Sequence, residues 1–258
     1  NHMDEIGKKL DSVENVVVGG SAAPLSMIKK FEEVHSAFLI HAWGMTEMSP
    51  LGTANVKTLA MANMPLDERY KIQLKQGKPV FGVEMKIVDD EGNPQPHDGI
   101  SYGRLLVRGP WIINKYYNNE DMSSFENGWL DTGDVATIDP DHYLGIVDRS
   151  KDVIKSGGEW ISSIDLENEA VGHPDIIEAC VIGVAHEKWD ERPLLFIVKN
   201  SDECTKESVL EYLSDKIAKW WLPDDVIFID ELPHGATGKL LKTGLREDYK
   251  NHLITKGD

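Results

Sequence analysis

Several short runs in this chain place chemically useful side chains beside glycine. Trp43-Gly44-Met45-Thr46-Glu47 offers an aromatic face, a hydroxyl and a carboxylate on a backbone free to bend. That set can stack a base, bind a phosphate oxygen and present an oxygen ligand to a hard cation such as Mg²⁺. Read alone, it is equally a core Trp beside a polar turn. Gly19-Gly20-Ser21-Ala22-Ala23-Pro24 is a small-residue loop that lets a flat ligand approach the backbone, or an ordinary tight turn. Trp129-Leu130-Asp131-Thr132-Gly133-Asp134 sets two carboxylates around a glycine ahead of a strand. A carboxylate at a strand start can accept hydrogen bonds from both hydroxyls of a ribose, although alone this is an Asx-type turn. Asp148-Arg149-Ser150-Lys151-Asp152 is a charge-dense joint, followed by Gly157-Gly158-Glu159. Paired glycines suit a hairpin whose N–H groups face a ligand; the charges also suit a solvated surface. Leu232-Pro233-His234-Gly235-Ala236-Thr237-Gly238-Lys239 ends a loop on a lysine able to reach a phosphate as a point charge. It is not a phosphate-binding P-loop, because Pro233 stands where that motif needs Gly and Leu240 where it needs Ser or Thr.

The elements that must position these runs follow from periodicity and punctuation. Val13–Val18 is a β-branched run entering the Gly19 loop, so a buried strand. Residues 24–34 carry Leu25, Ile28, Phe31 and Val34 at near-helical spacing behind Pro24. Phe38-Leu39-Ile40 is a second strand leading into Trp43; strand, helix, strand at this length predicts a βαβ unit and a parallel sheet. From 78 to 147 short strands (Glu84–Val88, Gly103–Arg108, Val135–Ile138, Tyr143–Val147) alternate with Gly, Pro, Asn and Asp turns, which predicts a small antiparallel β unit. Beyond 150, Ser162–Val171 reads as a helix with Ser162 and Asp165 in a capping box. Ile176–Val184, Leu194–Val198 and Val226–Ile229 read as strands, 206–219 as a helix presenting Val209, Leu210, Leu213 and Ile217, and Thr243–Leu253 as a polar closing helix.

Composition narrows the classes. With 258 residues, 41% hydrophobic and 28% charged, the chain is globular and large enough for two compact units. The 44 acidic residues exceed the 27 Lys and Arg, a formal charge of −17, which makes it a poor general binder of nucleic acid or anionic membrane. Of the two cysteines, Cys180 lies in an apolar strand run, so it reads as a buried thiol, and a reducing cytoplasm is the compartment expected. No apolar run is long enough to span a bilayer, and Asn1-His2-Met3 reads as a tag remnant rather than a signal peptide.

Taken in order, these motifs resemble the consecutive core motifs of the adenylate-forming superfamily of acyl-CoA synthetases, luciferases and peptide-synthetase adenylation domains. Gly103-Arg104-Leu105-Leu106-Val107-Arg108-Gly109-Pro110 resembles a further one. The resemblance runs from about residue 15 to near the end. It implies that Gly20, Ser21, Ala22 and Trp43 border adenine, with Trp43 where the family usually has Tyr and Gly44 beside it in the nucleotide site. It implies that Thr46 contacts the α-phosphate and that Glu47 binds Mg²⁺. It assigns the ribose to Asp134 and Arg149, the hinge of a mobile C-terminal domain to Asp148, and the bridging of carboxylate and α-phosphate to Lys239. Gly157, Gly158, Glu159 and Trp160 match the segment that lines the channel for the coenzyme A thiol.

The implied fold is the end of a large N-terminal domain over residues 1–147 (parallel α/β layer plus a small β-barrel-like unit), a hinge at 148–149, and an α+β lid over 150–258. The implied chemistry has two steps: a carboxylate attacks ATP to give acyl-AMP and pyrophosphate, then coenzyme A takes the acyl group and AMP leaves. Lys155-Ser156-Gly157-Gly158-Glu159-Trp160, Lys188-Trp189-Asp190-Glu191-Arg192-Pro193 and Lys219-Trp220-Trp221-Leu222-Pro223 resemble the fatty-acid–CoA ligase branch, which includes ligases for short sulfur-containing acids. Trp220 and Trp221 read equally as core packing. Fatty acid, ATP or AMP, and coenzyme A are the implied partners; acyl length and homodimer formation stay open. The alternatives are a ligase for another acid and a catalytically silent binding module. Nothing here matches the family's Ser/Thr/Gly-rich phosphate loop. The chain is therefore expected to be the C-terminal part of a ligase, to bind ATP poorly alone, and to leave Val16–Val18 and Phe38–Ile40 uncovered.

Overall fold

A computed structural model describes residues 3, 6–118, 121–235 and 240–254. The chain divides into two compact units, Asn1–Ile146 and Val147–Asp258. No helix among the described residues is long and apolar enough to cross a membrane.

The first unit opens with β1 (Asn15–Val18), α1 (Leu25–His35) and β2 (Phe38–Gly44). β1 and β2 pair in parallel with Val16 opposite Leu39 and Val18 opposite His41, the βαβ arrangement expected. After β2 the pairing turns antiparallel, through β3 (Leu51–Ala54) and, beyond the short helices α2 (Leu59–Ala62) and α3 (Leu66–Gln73), β4 (Lys78–Pro79). The reversal follows from length: a parallel partner needs a crossover, whereas only a short turn separates β2 from β3. Ile28 of α1 and Tyr70 of α3 pack on Leu39 and Ala23. Leu39 is therefore buried; Phe38 is buried too, contrary to the expectation that Phe38–Ile40 is bare, while Val17 is 67% exposed.

The rest of the first unit is a sheet of β5 (Glu84–Val88), β6 (Tyr102–Arg108), β7 (Phe125–Glu126), β8 (Trp129–Ile138) and the start of β9 (Leu144–Arg149), whose last three residues belong to the second unit, in the order β5-β6-β8-β7 with β9 on β8. Ile87, Leu105, Val107, Leu130, Ala136, Ile138 and Leu144 close its core, and Met48 and Trp43 pack onto them. That contact fixes the Trp43–Glu47 run against this sheet.

In the second unit β10 (Ile154–Ser156) and β11 (Glu159–Ile161) form a hairpin, followed by α4 (Ser163–Val171), β12 (Ile176–His186), β13 (Asp190–Lys199), α5 (Lys206–Ser214), β14 (Asp225–Phe228) and α6 (Lys242–Tyr249). The sheet order is β11-β10-β13-β12, with β14 parallel to β13. Both faces of β12 and β13 are covered. Ala179, Val181, Leu195 and Ile197 meet Leu166, Ala170, Val209 and Leu213 of α4 and α5, while Cys180, Ile182, Leu194 and Phe196 meet Leu245 and Tyr249 of α6. Successive residues serve opposite cores, which is why these strands read as unbroken apolar runs.

Three local readings change. The 206–219 helix stops at Ser214, and Lys219–Trp221 is a separate single turn. Asp215 caps it, and Leu222-Pro223 cannot continue a helix. Ser162 accepts from Asp165 N at 3.1 Å, but the reciprocal capping box is at Thr205 and Ser208. Trp221 packs on the core, whereas Trp220 is 44% exposed.

Candidate nucleotide-binding site and hinge

In the first unit the Gly20-Ser21-Ala22 loop leaves the end of β1 beside β2, and Ala23 anchors it in the core. At the far end of β2 the backbone doubles back so tightly that a Cβ on Gly44 would lie 1.8 Å from the Pro50 carbonyl oxygen. Only glycine fits there, and the bend carries Thr46 and Glu47 away from the strand as a single tight turn, Thr46–Met48.

Trp43 does more than offer a face. Its Nε1 donates to Asp134 Oδ2 at 3.0 Å, across 91 residues of sequence. Asp134 is only 3% exposed. It does not stand at a strand start: β8 begins at Trp129, and Asp134 sits in a bulge within it. Arg104 faces Val135 while Leu106 faces Asp131, so residues 132–134 oppose Leu105 alone. Bulges re-aim side chains, and this one aims the carboxylate at Trp43. Thr132 holds the distortion: its Oγ1 donates to the Leu105 carbonyl at 3.0 Å and accepts from Asp134 N at 3.1 Å. A carboxylate has about four acceptor positions, and the Trp43 bond takes one of them.

Glu47 Oε1 accepts from the Tyr116 hydroxyl at 3.0 Å, and its carbonyl accepts from Ile113 N at 2.9 Å. Burial first, and then this carboxylate, push the Tyr116 phenol upward, so it stays a donor at neutral pH. Among the described residues no group of three or more His, Cys, Asp or Glu side chains is placed to hold a metal. The donor the run supplies is one carboxylate, Glu47, next in sequence to Thr46. That suits Mg²⁺, which takes one or two carboxylates and completes its shell with phosphates and water.

In the second unit Asp148 is 1% exposed and fully engaged: Oδ1 accepts from Arg149 N and Oδ2 from Ser163 N, each at 2.7 Å. Burial raises its pKa, opposed by Lys242 and by these bonds at the N-terminus of α4. Arg149 follows at the end of β9, with its side chain exposed.

The β10–β11 hairpin turns on Gly157 and Gly158, with φ of +60° and +87°. Two successive positive φ values are what a two-residue hairpin needs, hence the pair. Gly157 N donates to the Trp189 carbonyl at 2.9 Å, and the Trp189 ring lies so near that a Gly157 Cβ would be 2.8 Å from it. Glu159 is exposed, and Trp160 lies under Lys155, whose Nζ is 5.6 Å from the ring centre. Lys239 lies outside the described residues.

Of the expected site residues, Trp43 and Asp134 are brought into direct contact within the first unit. Gly20–Ala22, Thr46 and Glu47 share that unit; Asp148, Arg149 and Gly157–Trp160 belong to the second. Sequence reasoning missed three residues. Tyr116 lies 69 positions from Glu47, and no local signal links them. His41 is buried at the end of the parallel pairing, and burial lowers its pKa against the Ser21, Leu74 and Gln73 backbone, so it is a neutral ring beside the Gly20 loop. Lys242 is a nearly covered lysine just ahead of the segment that reads as a polar helix from Thr243, and no local signal marks it.

Comparison with known proteins bears on this arrangement. Residues 2–117 match the model of the AMP-binding enzyme family and residues 165–239 that of the AMP-binding enzyme C-terminal domain. The 3-methylmercaptopropionyl-CoA ligase of Ruegeria lacuscaerulensis is 54% identical over 98% of this chain and 47% of its own length. The medium-chain-fatty-acid–CoA ligase of Ectopseudomonas oleovorans is 51% identical over 96% of this chain and 46% of its own length. The o-succinylbenzoate CoA synthetase of Bacillus subtilis, solved with its acyl-adenylate intermediate, superposes with a TM-score of 0.81 at 29% identity, covering 95% of this chain and 48% of that one. The chain thus spans about half the length of the curated relatives it matches. With both family models matched in order, the chain belongs to the adenylate-forming, AMP-binding enzyme family.

Proposed function

We propose that the longer protein to which this chain corresponds is an ATP-dependent, AMP-forming acyl-CoA ligase acting on fatty acids. The observation that carries the reading is the Trp43–Asp134 hydrogen bond, which joins the proposed adenine and ribose residues in one place. Trp43 and the Gly20-Ser21-Ala22 loop, with Gly44 beside it, take adenine; Asp134 and Arg149 take the ribose; Thr46 takes the α-phosphate. Glu47, oriented by Tyr116, holds Mg²⁺ with the phosphates, where the ion would offset charge on their oxygens. A carboxylate oxygen of the acid bonds to the α-phosphorus and pyrophosphate leaves. Lys239 stabilises the charge that develops in that step. Asp148 is the hinge for the second half-reaction, in which the coenzyme A thiol sulfur bonds to the acyl carbon and AMP leaves. Gly157, Gly158, Glu159 and Trp160 line its path.

A second acid class is favoured by a specific observation. The relative with 54% identity is named for a sulfur-containing propionyl substrate, so that type of acid stands beside medium-chain fatty acids as substrate. The test is an assay of AMP and pyrophosphate release by the full-length protein against linear acids of increasing length and 3-methylmercaptopropionate. Release of both with one of these acids supports the proposal. No AMP with any acid or thiol would favour a silent module of the same fold.

A further inference from the structure

The second unit holds a buried ionic chain that starts at Asp148 and whose other members, Ser163, Lys242 and Glu167, the proposed chemistry does not use. Lys242, in the first turn of α6, donates from Nζ to Ser163 Oγ at 2.6 Å and pairs with Glu167 Oε1 at 2.7 Å, with both charged side chains nearly covered. Ser163 and Glu167 lie one turn apart on α4, so a single ammonium bridges both. Ser163 passes the connection on through its own N–H, which donates to Asp148 Oδ2. Glu167 ends it on the other side, accepting from Val181 N at 2.7 Å on the open edge of β12. One turn further along α6, Arg246 pairs with Asp152, four residues beyond Asp148. Two cations of α6 thus grip the segment that begins at Asp148.

The same helix follows the lysine loop. Lys242 stands three residues after Lys239 in sequence, and the described residues flanking that loop are tied together: His234 bridges Leu240, and Leu241 N donates to the Pro233 carbonyl at 2.8 Å. Removing one partner of a buried pair is costly because the other is left charged and uncompensated, so this chain is rigid only while it is complete.

We infer that Lys242 is a positioning residue of the hinge, holding the buried Asp148–Ser163–Lys242–Glu167 chain so that the hinge carboxylate and the base of the lysine loop move as one body. This rests on the reading of Asp148 as a hinge. Among the described residues, the groups that act on Asp148 or Lys242 are Arg149 beside the hinge, Asp165 and Glu167 on α4 and Cys180 on β12; Asp152 and Arg246 pair with each other and act on Cys180, and Glu169 acts on Asp165. Burial pushes the Asp148 and Glu167 carboxyls upward, and the Lys242 ammonium opposes that rise in both.

The test compares Lys242→Met, Lys242→Arg and Ser163→Ala in the full-length protein. Lys242→Met is expected to lower kcat by about 10- to 100-fold with the KM for ATP changed by less than about threefold. The acid limb of its pH profile should move to higher pH, because Asp148 and Glu167 lose their cation. Lys242→Arg, which keeps the charge, should recover most of the rate. Should Lys242→Met fail to fold, Ser163→Ala decides: it removes only the hydroxyl Lys242 holds and should cost roughly 3- to 10-fold in kcat. Unchanged kcat in Ser163→Ala, or in a folded Lys242→Met, overturns the inference. Amide hydrogen exchange on the 258-residue chain reads the network without catalysis. The Ser163 and Val181 amides should exchange faster in the Ser163→Ala and Lys242→Met chains, and unchanged protection overturns the inference even if the full-length protein proves not to be a ligase.

Discussion

Trp43→Phe removes the indole N–H while keeping an aromatic ring against the Met48 and Ile87 core. The lost partner is the carboxylate of Asp134, 3% exposed, at 3.0 Å from Nε1. A hydrogen bond to a charged group contributes about 1.5–3 kcal/mol, and the smaller ring adds a packing loss of roughly 1 kcal/mol. A double-mutant cycle with Asp134→Ala separates the two, since the packing loss is common to both arms and cancels. Urea unfolding of the four chains should give a coupling of about 1.5–3 kcal/mol. In the full-length protein the same substitution should raise the KM for ATP by roughly 10- to 100-fold, one factor of ten per 1.4 kcal/mol lost. A coupling below about 0.5 kcal/mol would refute the reasoning, because the bond would then be replaceable by water and could not be what holds the adenine and ribose residues together.

In the full-length protein, Lys239→Ala should slow acyl-AMP formation by ~10²–10³ while sparing thioester formation from supplied acyl-AMP; equal loss in both half-reactions would make Lys239 structural. Gly158→Leu should do the reverse, because φ of +87° is costly for Leu and its side chain enters the proposed thiol path; loss of adenylation with thioester formation intact would contradict it. On pH, burial would raise the Asp225 carboxyl, but its bonds to His252 and Lys206 prevail and hold it at about 2. Its folded pKa is therefore depressed, so its contribution is present above the ordinary carboxylate range and is lost as pH falls towards 2. Allowing for solvent screening this is about 1–2 kcal/mol, and Asp225→Asn should lower the melting temperature at pH 6 and lower it by clearly less at pH 2.5. An equal loss at both pH values would contradict the assignment.

Where local patterns governed, the sequence was readable: α1 spans Leu25–His35 against a reading of 24–34, and the Gly157-Gly158 pair turns a hairpin. Length and pairing were harder. β8 extends back to Trp129 because a bulge lets Asp131 and Val135 pair with the same partner strand, and periodicity cannot register an interruption of that kind. Asp134 was recognised as a residue, but its engagement by Trp43 is a contact across the chain that no window contains. Tyr116 and Lys242 were invisible for the same reason, as their importance lies in the carboxylates they meet, Glu47 and Glu167. The two tryptophans of Trp220-Trp221 part company: Trp221 packs on the core while Trp220 is half exposed, a difference between neighbours that composition cannot show.

The central claim, attack of a carboxylate on the α-phosphorus of ATP, is tested most directly by isotope transfer. The full-length protein would be given ATP, Mg²⁺, coenzyme A and a medium-chain fatty acid or 3-methylmercaptopropionate labelled with ¹⁸O in its carboxylate, and the products analysed by mass spectrometry. The account predicts one labelled oxygen in AMP for each acyl-CoA formed, with unlabelled pyrophosphate. Label in inorganic phosphate with ADP as co-product, or acyl-CoA formed beside unlabelled AMP, would contradict it.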